Sequence, residues 1–174
     1  MLATTDRITE SEACSELWMH LKDIGDDDPM VDRSGIWGVI CARTSLEPIE
    51  AMIRLRDSLE NDPESFKAIY RILPVEAIVK TDLAEISKLV DDLSSIIPED
   101  ECFRITVEKR RTDLHSIEII EAVAPSIDRP VDLEEPDWIV LIEVLGRITG
   151  ISVVNPDGIL NIQKEKFELS KSSQ

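Results

Sequence analysis

The run Trp138-Ile-Val-Leu-Ile-Glu-Val144 is the tightest constraint in the chain: seven residues, one of them charged, with no alternation of apolar and polar positions. A strand with one face in water alternates with period two, whereas a nearly continuous apolar run fits a strand covered on both faces. The segment therefore predicts a central strand in an α/β sheet. Leu83, Ile86, Val90, Leu93 and Ile97 form a helical stripe stopped by Pro98, and Ile117, Ile120, Val123, Ala124 and Ile127 form another, with Ser116 as its cap. Between them Cys102 to Glu108 alternates, placing Phe103, Ile105 and Val107 on one face and Arg104, Thr106 and Glu108 on the other. After a tight turn at Gly146, Arg147 to Val154 adds a further strand.

The first 74 residues repeat the theme with weaker signals. Met1 to Thr5 is a short, partly β-branched start. Cys14, Leu17, Trp18, Leu21 and Ile24 recur at helical spacing until Gly25, and Asp26-Asp27-Asp28-Pro29 marks a loop. Met30 to Arg33 and Gly35 to Cys41 read as a hairpin joined at Ser34-Gly35. A second helix follows Ser45, with Pro48 in its first turn, Ile49, Met52, Ile53 and Leu59 on its apolar face, and Asn61-Asp62-Pro63 at its end. Phe66 to Leu73 returns to strand composition. Strand, helix, strand, strand, helix, strand is the split βαβ order of a ferredoxin-like unit. The expected division is residues 1–74, a second domain over 75–160, and a loose C-terminal tail, 161–174.

Charge narrows the functional classes. Thirty-six Asp and Glu against nineteen Lys and Arg give a formal charge of −17, which excludes a chain that coats nucleic acid by net charge alone. Any anion it binds must meet a local basic patch. Nine acids lie between Asp6 and Asp32 against Arg7, Lys22 and Arg33, and this run reads as a solvated face. No apolar run approaches the roughly 20 residues that span a bilayer, and Met1 to Thr9 lacks the basic start and apolar core of a signal peptide, so a cytoplasmic protein is expected.

Cys14, Cys41 and Cys102 are scattered and read as reduced, buried thiols. His20 and His115 have no partners at metal-ligand spacing, so no metal site is expected. The six glycines form no phosphate loop, and no GxSxG elbow or HExxH helix is present. Glu134-Glu135 and Asp91-Asp92 read as solvated surface rather than catalytic pairs. No catalytic residue, cofactor or small-molecule substrate is expected.

One segment inverts the local charge. From Phe103 to Arg111, Arg104, Lys109, Arg110 and Arg111 stand against the single acid Glu108. The segment ends a strand and leads to His115-Ser116 at a helix start, where free N–H groups suit a phosphate. Guanidinium groups add bidentate phosphate contacts and stack on unpaired bases. The competing reading is that these arginines pair with carboxylates of the same protein.

Phe103-Arg-Ile-Thr-Val-Glu-Lys-Arg-Arg111, His115-Ser116, Val131-Asp-Leu-Glu-Glu-Pro-Asp137 with the strand that follows, and Gly150-Ile-Ser-Val-Val154 together resemble the core of a THUMP domain, in family order. Arg71-Ile-Leu-Pro-Val-Glu76 before a helix is similar to the approach to that domain in stand-alone THUMP proteins that assist tRNA cytidine acetylation. The resemblance covers about residues 66–155 by motif and 1–65 by pattern only. It implies a ferredoxin-like domain followed by a THUMP domain that together recognise the acceptor end of tRNA. Because the chain ends soon after Val154, it also implies a non-catalytic adaptor whose partner, an RNA cytidine acetyltransferase forming 4-acetylcytidine, is a separate protein. The residues expected to contact RNA are Arg104, Lys109, Arg110, Arg111, His115 and Ser116, with Arg129 and Arg147 as neighbours. The chain is far more acidic than a typical RNA binder. The alternative is an acidic protein-interaction module without RNA binding.

Overall fold

In the computed structural model, which describes residues 1–172, the chain leaves one sheet at Pro74 and rejoins it after Gly158. The result is two units: Met1–Pro74 with residues 158–172, and Val75–Asp157.

The first unit runs β1 (Leu2–Thr5), α1 (Glu10–Asp23), β2 (Met30–Arg33), β3 (Val39–Arg43), α2 (Pro48–Asn61) and β4 (Ile69–Leu73). Its antiparallel strands lie in the order β2-β3-β1-β4, the ferredoxin-like arrangement. The buried faces of both helices match the spacing in part, keeping Leu17, Leu21, Ile24, Met52 and Leu59. On α1 they are Ala13, Leu17, His20 and Leu21, with Trp18 exposed; on α2 they are Ala51, Met52, Leu55 and Leu59, with Ile49 and Ile53 exposed. Each helix carries large apolar residues beside its core face, and small Ala13 and Ala51 let the backbone approach the sheet, a role that hydrophobicity counting does not weigh. His20 is buried by stacking on Phe66, with ring centroids 3.7 Å apart and planes 7° from parallel, and this burial lowers its pKa.

The hairpin also differs. Gly35 and Gly38 both have positive φ, so residues 34–38 form a loop and β3 begins only at Val39, leaving Trp37 outside the strand. The acidic run is not wholly a solvated face. Buried Asp26 accepts hydrogen bonds from Ser45 N–H (3.1 Å), Ser45 Oγ (2.8 Å) and Asp28 N–H (3.1 Å). Burial would raise its pKa, but these hydrogen bonds and one from Thr44 prevail and hold it low. Glu16 accepts from the N–H groups of Lys67, Ala68 and Ile69, fixing the start of β4.

The second unit runs β5 (Ala77–Lys80), α3 (Leu83–Ser94), β6 (Phe103–Arg110), α4 (Ser116–Val123), β7 (Trp138–Leu145) and β8 (Ile148–Val154). The sheet order is β5-β8-β7-β6, with β6 and β7 parallel and the other pairs antiparallel. Every residue from Ile139 to Val144 is buried, including Glu143. Val140, Ile142 and Val144 pack with Phe103, Ile86 and Val90 of the α3 stripe, and Ile119 and Val123 of α4; Ile105 and Val107 pack partly buried against this core. The core face of α4 is Ile119 and Val123, while Ile117 is exposed. The three cysteines are free and half-buried, rather than fully buried.

After residue 157 the chain adds β9 (Leu160–Asn161) to the edge of β4, and α5 (Ile162–Ser172) follows. The region expected to be loose is therefore helical through Ser172 and belongs to the first unit, while residues 173–174 lie outside the described residues. Leu160 and Ile162 enter that unit's core, and Arg56 grips Glu165 with Nε and Nη2 at 2.9 and 3.1 Å while donating to the Ile159 carbonyl at 2.9 Å. A low apolar content after Lys164 concealed a helix, through Ser172, that is held at its start. Among the described residues no helix is long and apolar enough to cross a membrane.

Candidate nucleic-acid interface

Strand β6 sets the geometry of the basic segment. At about 3.3 Å per residue, Arg104 and Arg110 stand roughly 20 Å apart, so they serve opposite ends of the sheet.

At the first end the arginines are tied to the backbone. Arg104 Nη1 donates to the Leu133 carbonyl at 3.0 Å. Arg129 Nε donates to the Ile97 carbonyl at 2.8 Å, and its Nη1 to the Asp128 carbonyl at 2.7 Å. The Val131–Asp137 motif is structural here. Phe103 N–H donates to Pro130 (2.9 Å) and Asp132 N–H to Phe103 (3.1 Å), while Asp132 Oδ1 accepts from Glu134 and Glu135 N–H at 2.9 and 3.0 Å. Asp137 Oδ2 accepts from Cys102 N–H at 2.9 Å and from Cys102 Sγ at 3.1 Å. Those donors favour the ionised form and lower both carboxyl pKa values.

At the other end the strand termini converge on an open cleft of about 950 Å³, lined by Lys80, Thr81, Asp82 and Leu83, by Arg111 to Leu114, and by Gly146, Arg147 and Ile148. Arg111 is the only non-glycine with positive φ among the described residues (55°), which turns the chain sharply off β6. The turn is pinned by Gly146 N–H donating to the Arg110 carbonyl at 2.8 Å. Lys80 arrives from the end of β5, opposite Ile148. The cleft therefore gathers Arg111, Arg147 and Lys80 from three separate connections, against Asp82 and Asp113.

Asp82 is already committed, because it caps α3 by accepting from Ala84 and Glu85 N–H at 3.0 and 3.1 Å. The start of α4 is arranged differently from the expected Ser116 cap: His115 is the N-cap, its N–H donates to Glu118 at 2.6 Å, and Ser116 is the first helical residue. Having its own carboxylate in the first turn makes α4 a poorer phosphate site than the sequence implied. Lys109 is exposed. Arg110 is turned inward, with Nη1 3.4 Å from Oε2 of Glu143, which is only 4% exposed. Of the eight residues expected at the interface, Arg111 and Arg147 share the cleft, His115 and Ser116 follow its Leu114 wall, Lys109 is exposed on β6, Arg110 is an ion-pair partner, and Arg104 and Arg129 lie at the opposite end. Lys80 was missed because β5 has only four residues, too few to show periodicity.

Residues 80–154 match the THUMP domain family, so the second unit carries a THUMP domain from the last residue of β5 to the end of β8. The fold as a whole is a ferredoxin-like unit combined with this domain. A protein of Methanocaldococcus jannaschii described as uncharacterized is 29% identical over 153 residues, which is 84% of this chain and 39% of that protein. Among solved structures, PH1313 from Pyrococcus horikoshii aligns with a TM-score of 0.61 at 20% identity, over 88% of this chain and 53% of its own. A 4-thiouridine synthetase in complex with RNA and bound ATP aligns at 0.58 and 15% identity, over 92% and 41%. TrmN from Thermus thermophilus aligns at 0.56 and 16% identity, over 87% and 44%. These structural likenesses establish a shared fold. The chain spans about two fifths of the curated relative.

Proposed function

We propose that this protein binds tRNA at its acceptor end, without modifying it, and presents it to a separate RNA cytidine acetyltransferase that forms 4-acetylcytidine. The observation that carries the binding step is the gathering of Lys80, Arg111 and Arg147 around one cleft of a THUMP domain in a chain of charge −17. One structural neighbour is a 4-thiouridine synthetase bound to RNA, which supports an RNA role for the shared fold. The sequence likeness of Arg71 to Glu76 and the domain that follows to stand-alone acetylation adaptors supports the particular partner.

The cleft residues act by position. Three cations on three different connections match a phosphate path better than a single point charge, and Arg111 brings a planar, bidentate donor. The acidic surface elsewhere repels a polyanion and so steers the RNA towards the few places where cations gather. Filter binding with tRNA at two salt concentrations tests the reading: affinity should fall steeply as salt rises. Incubation with tRNA and acetyl-coenzyme A should leave the RNA unchanged until the acetyltransferase is added. Failure to bind tRNA at low salt, or acetylation by this chain alone, would overturn it.

A further inference from the structure

The first unit presents a large aromatic side chain outside its core. Trp37 is 62% exposed in the β2–β3 loop, and Ile8 is 88% exposed. The loop is rigidly built. Gly38, with φ of 74°, donates N–H to Glu10 Oε1 at 2.7 Å, and its carbonyl accepts from Thr5 N–H at 3.0 Å. A Cβ at Gly38 would lie 2.8 Å from the Thr5 carbonyl oxygen, so only glycine fits. Ser34 Oγ closes the other side on Val39 O at 2.8 Å. Such a loop holds Trp37 in place at small entropic cost to a ligand.

Arg7 stands over the Trp37 ring, its Cζ 3.2 Å from the centroid. In a chain with nearly twice as many acids as bases, Arg7 forms no ion pair among the described residues. The carboxylates around it are engaged elsewhere: Tyr70 donates its hydroxyl to Asp6, and Glu10 holds Gly38 and faces Arg33. The guanidinium thus lies on one face of the largely exposed indole without an ion-pair partner among the described residues, a short cation–π stack that a base can extend. Aromatic faces stack on unpaired bases and guanidinium groups meet the neighbouring phosphate.

We infer that Trp37 and Arg7 form a stacking site for an unpaired base of the bound RNA, with Arg7 contacting its phosphate. The site lies in the ferredoxin-like unit and is distinct from the cation cleft of the THUMP domain. It rests on the tRNA-binding reading but is tested separately from it.

Binding of three probes should be measured at two salt concentrations: tRNA, a single-stranded oligoadenylate, and a blunt RNA duplex. Trp37→Ala should weaken tRNA and oligoadenylate binding about tenfold at both salts, because stacking releases no counterions, and leave the duplex unaffected. Trp37→Phe should keep most of the affinity. Arg7→Ala should lower the log-log salt slope by about one. If the wild type binds tRNA but Trp37→Ala binds every probe as the wild type does, the stacking site is overturned while the tRNA reading stands. If the wild type binds no RNA at low salt, the tRNA reading fails and the site falls with it. Unchanged thermal melting of Trp37→Phe and Arg7→Ala guards against a folding artefact.

Discussion

The two ends of β6 begin from the same chemistry and put it to opposite uses. At the first end, Arg104 donates to the Leu133 carbonyl and ties the Val131–Asp137 loop to β6, while Arg129 donates to the Ile97 carbonyl and ties its own loop to the segment after α3. At the second, Arg111 and Arg147 line an open cleft with Lys80. The difference comes from the backbone each set meets. Loops rich in carbonyls without partners absorb a guanidinium, whereas a tight turn whose own groups are already paired, as Gly146 and Arg110 are, leaves neighbouring side chains available. An arginine in a basic run is therefore a ligand contact or a scaffold according to the hydrogen bonds its surroundings lack.

Four experiments sharpen that contrast. The largest effect should come from Arg111→Glu with Arg147→Glu: tRNA affinity should drop by well over tenfold, with the log-log salt slope falling by about two, at unchanged thermal stability. Equal affinity in a filter-binding assay would move the RNA surface elsewhere. Arg110→Ala should instead destabilise the fold by about 2 kcal/mol, read by urea denaturation, because it removes a cation from beside the buried Glu143 carboxylate. The ordinary expectation that an arginine in an exposed basic run is dispensable does not hold at this position.

Arg129→Ala should cost about 1 kcal/mol through the lost bond to Ile97, with tRNA affinity unchanged; a binding defect with normal stability would erase the distinction between the two ends. Asp137→Asn should have the smallest effect, a slight loss of stability near neutral pH that disappears in acid. The Asp137 carboxyl sits below its ordinary value of 3.8, so its contribution is present above that pH and lost as pH falls through the lower folded value. The variant should show a flatter loss of melting temperature on acidification than the wild type.

Strong periodic segments were legible in the sequence. Trp138 to Val144 admits few structures other than a buried strand, and the α3 stripe and the β6 alternation each carry enough residues to fix a period. The faces of α1 and α2 were legible only in part: Leu17, Leu21, Ile24, Met52 and Leu59 are buried as their spacing predicts, but Trp18, Ile49 and Ile53, just as hydrophobic, are exposed. Trp37 was hidden inside an apolar string that reads as strand until Gly35 and Gly38 take positive φ. In the candidate site the basic segment itself was visible. What no local pattern contains is the pairing of Arg110 with Glu143, 33 residues away, or the arrival of Lys80 from a strand at the other edge of the sheet.

The return of the chain to β4 has a consequence during synthesis. Domains generally fold as they emerge, the N-terminal one first. Here the first unit to start is the last to finish, because Leu160, Ile162 and the Arg56 clasp on Glu165 reach it only after the whole THUMP domain has left the ribosome. Until then the outer edge of β4 has no neighbour, and the nascent protein carries an unpaired strand edge of the kind that invites association with other chains. The second unit, continuous from Val75 to Asp157, faces no such wait.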